Sequence, residues 1–282
     1  MGQIQETGLT RVASTKANSW WRVLLIGFFF YLATLVALIL TRNPVLFPTV
    51  VMVGSFMIPI AYVAFFYDRR HLSRLTVPTL AKGFIYGGLF GVLAASLLEP
   101  LFIRRLDFTT AFGVGLIEEF VKILGILFLA RHMLHDAEMD GLLLGVAAGM
   151  GFAALESNGY AFTAFLRSEG SLSLTVYVTL LRGILSPIGH GTWTAILTSV
   201  LFRESKEGHF RFNLKVLGAY LTVSILHGLW DGLPGVTTAF FGPGLDVFTR
   251  QALVGMIGLF ILWRRWQQAK RLQMESLATA ES

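Results

Sequence analysis

Two adjacent glutamates, Glu118 and Glu119, lie in the middle of an apolar segment, residues 111–130, whose only other charge is Lys122. The segment has the length needed to cross a bilayer, which takes about 20 apolar residues. A carboxylate at that depth costs on the order of 2.5–3.5 kcal/mol even on the most lenient scale. The pair therefore needs water, a metal, a proton or another charge beside it, and it marks the place to look for chemistry.

Further ionisable side chains lie inside other apolar segments: Glu156, His190, His227 and Asp231. Since the chain has no cysteine, carboxylates and imidazoles would have to do the chemistry, and two hydrolytic mechanisms suit them. In the first, His190, His227 and Glu156 bind a divalent metal, zinc by ligand type, and another glutamate takes a proton from the metal-bound water. In the second, a glutamate activates water without a metal and the histidines stabilise the oxyanion. The residue types leave both mechanisms open.

Helical spacing relates some of these side chains to one another. Glu118 and Lys122 are four residues apart and share a helix face, so Lys122 either neutralises a glutamate or takes part in the reaction. Glu119 points about 100° away from Glu118. His227 and Asp231 are also four residues apart, so Asp231 could orient the imidazole or add a ligand.

The elements that must position these residues are membrane helices. The chain is 54% hydrophobic and 14% charged, whereas a soluble domain carries about 25% charged residues, and the alternating strands of a β-barrel are missing. We predict an all-α, polytopic transmembrane bundle of about eight spans. The sixth is too long for a straight span and contains Arg182 and Pro187, so we expect either a bend or an interfacial first half. The predicted spans lie near residues 23–41, 45–67, 83–103, 111–130, 141–166, 173–202, 213–233 and 247–265.

The positions of the 23 lysines and arginines predict the orientation. Most of them fall on one side if both termini are cytoplasmic, as the positive-inside rule requires, so the net charge of +6 reflects topology and not a nucleic-acid partner. The predicted organisation is a cytoplasmic segment (1–22), one transmembrane domain (23–265) and a cytoplasmic tail (266–282), in a multi-pass protein of the plasma or inner membrane. A rise of about 1.5 Å per residue then puts the buried carboxylates and histidines in the same outer half of the lipid bilayer.

Four sequence elements, taken in order, resemble a known family. They are Glu118-Glu-Phe-Val-Lys122, the segment Gly151-Phe-Ala-Ala-Leu-Glu-Ser-Asn158, His190, and His227-Gly-Leu-Trp-Asp231. On these residues, within a core of about 83–235, the chain resembles the PrsW family of intramembrane proteases, distant relatives of the CAAX prenyl endopeptidases and of a γ-secretase subunit. The H-E-x-x-H motif of other intramembrane metalloproteases is absent from the sequence.

The resemblance implies an endopeptidase that cuts a membrane-anchored protein near its extracytoplasmic end, with an anti-sigma factor as substrate in the best-known branch. The family is catalogued as metal-dependent and is sometimes called glutamate-type. Two alternatives stay open: a non-catalytic membrane scaffold, which has little need for the full glutamate and histidine set, and a proton- or cation-coupled transporter, for which two repeated halves would be expected. The predicted site has catalytic residues Glu118, Glu119, Glu156, His190 and His227 and supporting residues Lys122, Asn158 and Asp231.

Overall fold

A computed structural model describes residues 19–70, 73–131, 137–206, 208–232 and 234–281. Over these ranges the chain folds into α-helices, with one isolated two-residue bridge between Lys206 and His209 and no longer strand. The helices are α1 Trp20–Thr41, α2 Leu46–Asp68, α3 Val77–Ile85, α4 Gly91–Phe102, α5 Phe108–Ala130, α6 Glu138–Arg167, α7 Leu172–Leu185, α8 His190–Glu204, α9 Leu214–Gly232 and α10 Pro234–Glu281. A π-helical turn, Tyr86–Phe90, joins α3 to α4, and a 3₁₀ turn, Ser186–Ile188, lies between α7 and α8.

Several of these helices could cross a membrane. Within the described ranges, five stretches are long and apolar enough by length and composition: Trp20–Thr41, Leu46–Asp68, Val77–Phe102, Glu138–Arg167 and Leu172–Glu204. The predicted all-α helical membrane bundle is therefore confirmed.

The finer topology stays a prediction. The remaining predicted spans correspond to α5, α9 and α10, and α5 carries three charged side chains near its middle. The count of eight spans, the cytoplasmic side of both termini and the division at residues 22 and 265 are not tested by the fold. Residues 1–18 of the predicted N-terminal segment lie outside the described residues, and α10 continues without a break through residue 265 to Glu281.

The predicted bend in the sixth segment is present. The α7 helix ends at Leu185, and after the 3₁₀ turn Gly189 has φ −102° and ψ −110°, outside the helical region. Pro187 lies in this turn because it has no backbone N–H to continue a helical hydrogen-bond ladder. As a result His190 is the first residue of α8 and its ring lies at a helix end inside the bundle.

The α6 helix is the centre of the bundle, and 94% of the residues in its most apolar stretch are buried. Glycines on one face of α6 allow the backbone of α8 to approach closely, since a Cβ on Gly141 or Gly145 would overlap with Thr198 and one on Gly149 would overlap with the His190 carbonyl. Small residues commonly allow this kind of close approach between membrane helices. The contact holds the start of α8 against α6.

A second close contact joins α5 to α9. A Cβ on Gly115 would lie 2.5 Å from the Ser224 carbonyl oxygen and 3.1 Å from the His227 Cβ, so only glycine fits this crossing without a shift. Gly228 has the reciprocal place on α9, where a Cβ would meet Phe112 at 2.6 Å. The crossing brings His227 beside the α5 turn that carries the two glutamates.

Candidate active site

Four helices bring the predicted side chains together. Most of the group is strongly buried: Glu119 and Lys122 have no exposed surface, His227 is 1% exposed, Glu118 5% and His190 7%, whereas the side chains of Glu156 and Asp231 are 17% and 31% exposed. Its members are Glu118, Glu119 and Lys122 from α5, Glu156 from α6, His190 from α8, and His227 with Asp231 from α9.

The Lys122 ammonium lies at the centre of the group. Its Nζ donates to Glu119 Oε1 at 2.8 Å, to Glu118 Oε2 at 3.2 Å and to His190 Nδ1 at 2.9 Å. An ammonium has three donors and no acceptor, so His190 Nδ1 accepts this bond and the neutral ring carries its proton on Nε2. The ammonium also lies over the Phe152 ring, 4.0 Å from its centroid. Lys122 is thus positioned to neutralise the buried carboxylate pair.

Both carboxylate oxygens of Glu119 are engaged inside the protein. Oε1 accepts from Lys122 and lies 3.0 Å from His227 Nδ1. Oε2 accepts from Thr194 Oγ1 at 3.2 Å. Thr194 was not among the residues predicted from the sequence, although it lies four residues after His190 and therefore shares that face of α8.

Glu118 lies between the two imidazoles. Its Oε2 is 3.5 Å from His227 Nε2 and 3.8 Å from His190 Nδ1. These three residues each offer a ligand atom, and the atoms lie within 4.8 Å of one another. Two imidazole nitrogens and one carboxylate oxygen form a donor set that zinc binds in hydrolases. Glu156, the third metal ligand predicted from the sequence, is not among these three, and its role as a ligand stays a prediction.

Glu156 contacts the opposite side of the His190 ring. Its Oε2 lies 3.0 Å from His190 Nε2 and 2.7 Å from Arg182 Nη2. Arg182 in turn donates from Nε to Ser157 Oγ at 3.3 Å and lies over the Tyr160 ring at 4.0 Å. Arg182 was not among the predicted site residues. Its position within an apolar segment was the signal that it has a buried partner.

Of the predicted supporting residues, Asp231 lies beside His227, whereas Asn158 lies on another face of α6. Asp231 Oδ2 lies 3.4 Å from His227 Nε2, as the four-residue spacing predicts. Asn158 is two residues beyond Glu156, and two residues turn an α-helix by about 200°, so it does not share the face that carries Glu156. Among the described residues, Ser157 and not Asn158 bonds to Arg182. A role for Asn158 in the reaction stays a prediction.

A cleft of about 450 Å³ leads to this group. Glu118 and Glu156 line the cleft, and Glu119 does not. The lining residues are Glu99, Pro100, Ile103, Arg104, Arg105, Leu106, Val114, Glu118, Glu156, Tyr160, Arg182, Trp230, Asp231 and Gln251. A second cavity of about 40 Å³, large enough for a water molecule, lies against His190 and shares Arg182, Trp230 and Gln251 with the cleft.

Comparison with known proteins agrees with this geometry. A family model described as "PrsW family intramembrane metalloprotease" matches residues 76–263, which include every residue of the group. "Protease PrsW" of Halalkalibacterium halodurans is 30% identical over 180 residues, which are 61% of this chain and 78% of that protein. No solved structure matches the chain. The chain therefore belongs to the PrsW family of intramembrane metalloproteases, as its motifs predicted, and it is an intramembrane protease.

Proposed function

We propose that the chain is an endopeptidase that hydrolyses a peptide bond of a membrane-anchored protein near its extracytoplasmic end, with Glu118, His190 and His227 at the reacting atoms. One observation carries the proposal: Glu118 is the member of the acidic pair that lines the cleft, and its Oε2 lies within 3.8 Å of a nitrogen of each histidine. A substrate segment in the cleft would present its peptide carbonyl to this group.

The orientation of the imidazoles supports a metal at this position. His227 directs Nε2 toward Glu118 and Nδ1 toward Glu119. His190 directs Nε2 toward Glu156, and its Nδ1 lies 3.8 Å from Glu118 Oε2 while it accepts from Lys122. Metal-binding histidines almost always donate their second N–H in this way, which fixes the ring and its tautomer. Glu118, His190 and His227 would hold a divalent ion, zinc by donor type, and the bound ion would supply a Lewis acid and a water of lowered pKa.

We assign the remaining proton transfer to Asp231. Its carboxylate lines the cleft, is one-third exposed, and lies 3.4 Å from His227 Nε2, on the side from which water and substrate arrive. Glu156, which also lines the cleft, is paired with Arg182 and is therefore a weaker base. Asp231 would take a proton from the attacking water and deliver it to the leaving amine, which balances the hydrolysis.

Glu119 and Glu156 then act as positioning residues. Glu119 holds the Nδ1 side of His227 and shares the Lys122 ammonium with Glu118. Glu156 holds the Nε2 side of His190, and Arg182 fixes Glu156 from α7. Both roles fix the orientation of the two rings. Because His190 Nδ1 accepts from the Lys122 ammonium, a bound ion would take the place of the ammonium at that nitrogen.

Cleavage of a single-span substrate by purified protein in liposomes tests the proposal. Glu118→Gln and His227→Ala should lose both bound metal and cleavage, whereas Asp231→Asn should keep the metal and lose cleavage by about 10²–10⁴-fold, the usual size of a general-base effect. Gly159→Ala is the matched control, since a Cβ there meets nothing within 4 Å. It lies on α6 close to Glu156 and should cut at the wild-type rate.

The outcomes separate the parts of the proposal. Full cleavage by both Glu118→Gln and His227→Ala would show that the site is elsewhere. Full metal content in Glu118→Gln, with cleavage lost, would make Glu118 the base and return the third ligand position to Glu156. A metal-free preparation with full activity would favour the glutamate-only mechanism.

For the substrate we propose the class that the motif resemblance implies, a single-span anti-sigma factor. The test is the same assay with such a protein and with an unrelated single-span protein of equal length. Equal cleavage of the two proteins would rule out the proposed substrate class but not the protease activity.

A further inference from the structure

We infer that Arg104 and Arg105, the rim pair, select substrates by a carboxylate side chain. That carboxylate lies about four to five residues from the scissile bond, on its extracytoplasmic side. The inference rests on the proposed function. It adds a substrate class, a membrane-anchored protein with an acidic residue at a defined distance from the cut.

The rim pair lies in the loop between α4 and α5. Both arginines are exposed, and both line the cleft that also contains Glu118. Neither has a carboxylate within ion-pair distance in the described part of the chain, in contrast to Arg182, which lines the same cleft and is paired with Glu156. The rim pair therefore places two guanidinium groups without an ion pair along the path to the reacting atoms, although the charge of Arg105 acts on the nearby Asp107 carboxylate.

The loop that carries the rim pair is fixed to the start of α5. Asp107 caps the helix, since its Oδ1 accepts from the backbone N–H groups of Thr109 at 3.0 Å and Thr110 at 2.9 Å. Thr110 Oγ1 accepts from the Asp107 N–H at 2.8 Å and donates to the Arg105 carbonyl at 2.7 Å. The carboxylate of Asp107 is thus used within the loop, and the backbone of Arg105 is held to the helix that carries Glu118.

The same helix sets the distance between the reacting atoms and the start of α5, to which the loop of the rim pair is fixed. Glu118 is ten residues after Phe108, the first residue of α5, which corresponds to about 15 Å at a rise of 1.5 Å per residue. A scissile bond must leave its helix to be attacked, because helical carbonyls are hydrogen-bonded within the helix. An extended chain advances about 3.3 Å per residue, so about 15 Å corresponds to four or five residues.

The positive charge of the rim pair determines which substrate side chain it can bind. A guanidinium binds a carboxylate through two parallel hydrogen bonds, and two adjacent arginines repel a lysine at the same place. Lipid phosphate has the same chemistry, but the rim pair lines the cleft together with Glu118 and Glu156. We therefore assign the rim pair to the substrate and make lipid an outcome of the test.

Charge reversal on both partners tests the inference in liposomes. Two substrates differ only in a glutamate or a lysine four to five residues outside the cut, and each is given to wild type and to the Arg104→Glu/Arg105→Glu variant. Wild type should prefer the glutamate substrate about fivefold in kcat/KM, through KM, as expected for an exposed ion pair, and the variant should prefer the lysine substrate. Arg167→Glu, exposed at the end of α6 and away from the cleft, is the control and should keep the wild-type preference.

Three results would overturn the inference. One is equal cleavage of the two substrates by wild type. Another is a variant that cuts both substrates less and by the same factor, with an unchanged melting temperature. The third is a preference that follows phosphatidylglycerol in the vesicles and not the substrate residue, which would assign the rim pair to lipid. If wild type cuts neither substrate, the proposed function fails instead. An Arg104→Gln/Arg105→Gln variant, which should lose preference without reversing it, replaces the double glutamate variant if that protein does not fold.

Discussion

Lys122→Met removes a buried positive charge and keeps a side chain of similar length. In the wild type the ammonium lies 2.8 Å from Glu119 Oε1 and 3.2 Å from Glu118 Oε2, and no part of Lys122 is exposed. The variant would leave two adjacent carboxylates with no ammonium between them. Lys122→Met should therefore reduce the free energy of unfolding much more than the loss of one hydrogen bond does.

The magnitude follows from the burial. Removing one partner of a buried ion pair costs about 3–5 kcal/mol, because the other charge is left unpaired, and each 1.4 kcal/mol is about a factor of ten in the folding equilibrium. The double variant Lys122→Met/Glu119→Gln should regain most of this loss, since it removes a negative charge together with the positive one. The amide that replaces the Glu119 carboxylate in this variant can still accept from Thr194, which donates to Glu119 in the wild type.

The measurement is reversible unfolding in detergent, followed by helical circular dichroism, on the two variants and on Lys82→Met. Lys82 is exposed on α3, so its replacement should change stability by no more than about 0.5 kcal/mol. A loss below about 1 kcal/mol in Lys122→Met, a typical cost for a single hydrogen bond, would falsify the assignment of Lys122 as the group that neutralises the pair. A double variant no more stable than Lys122→Met would show that Glu119 is not the carboxylate left uncompensated.

Other consequences can be checked with the same preparations. Gly145→Leu should prevent stable folding, because even a Cβ there overlaps with Thr198, and pulse proteolysis in detergent would detect it. Hydrogen bonds from Thr110 lower the pKa of Asp107 below its ordinary 3.8, so the cap stabilises above that pH and is lost as pH falls through the folded-state pKa. The difference in melting temperature between wild type and Asp107→Ala should therefore shrink below pH 3.8, and a constant difference would contradict it. A chelator should abolish cleavage and zinc should restore it, with metal content measured on the same samples, since the site's donor set is one that binds zinc in other hydrolases.

Much of the fold follows from local patterns in the sequence. Long apolar segments require helices in a membrane because every backbone polar group must be satisfied within the segment. Pro187 predicts the break between α7 and α8, because it lacks the backbone N–H that a continuing helix needs. Spacing along one helix also fixes local pairs, so the contacts of Glu118 with Lys122 and of His227 with Asp231 were predictable.

Side-chain contacts between different helices were harder to predict from the sequence. The cost of burying polar groups indicated that the glutamates and histidines share one site, and the fold brings them together. Which partner each one takes depends on how helices rotate against one another, and residues 108 positions apart, such as Glu119 and His227, meet only after α5 and α9 pack. Glycine contacts such as those at Gly115 and Gly149 set these rotations, and a single sequence does not state which neighbour a glycine meets.

The sequence by itself therefore determined that the chain is a helical membrane protein of the PrsW type with a costly cluster of buried carboxylates and imidazoles. The tertiary structure decided that Glu118 and not Glu119 lines the cleft and that Glu156 is held by Arg182. The physical reason is that a helix fixes the angle between its own side chains, about 100° per residue, whereas the direction of the whole set is fixed by packing against other helices.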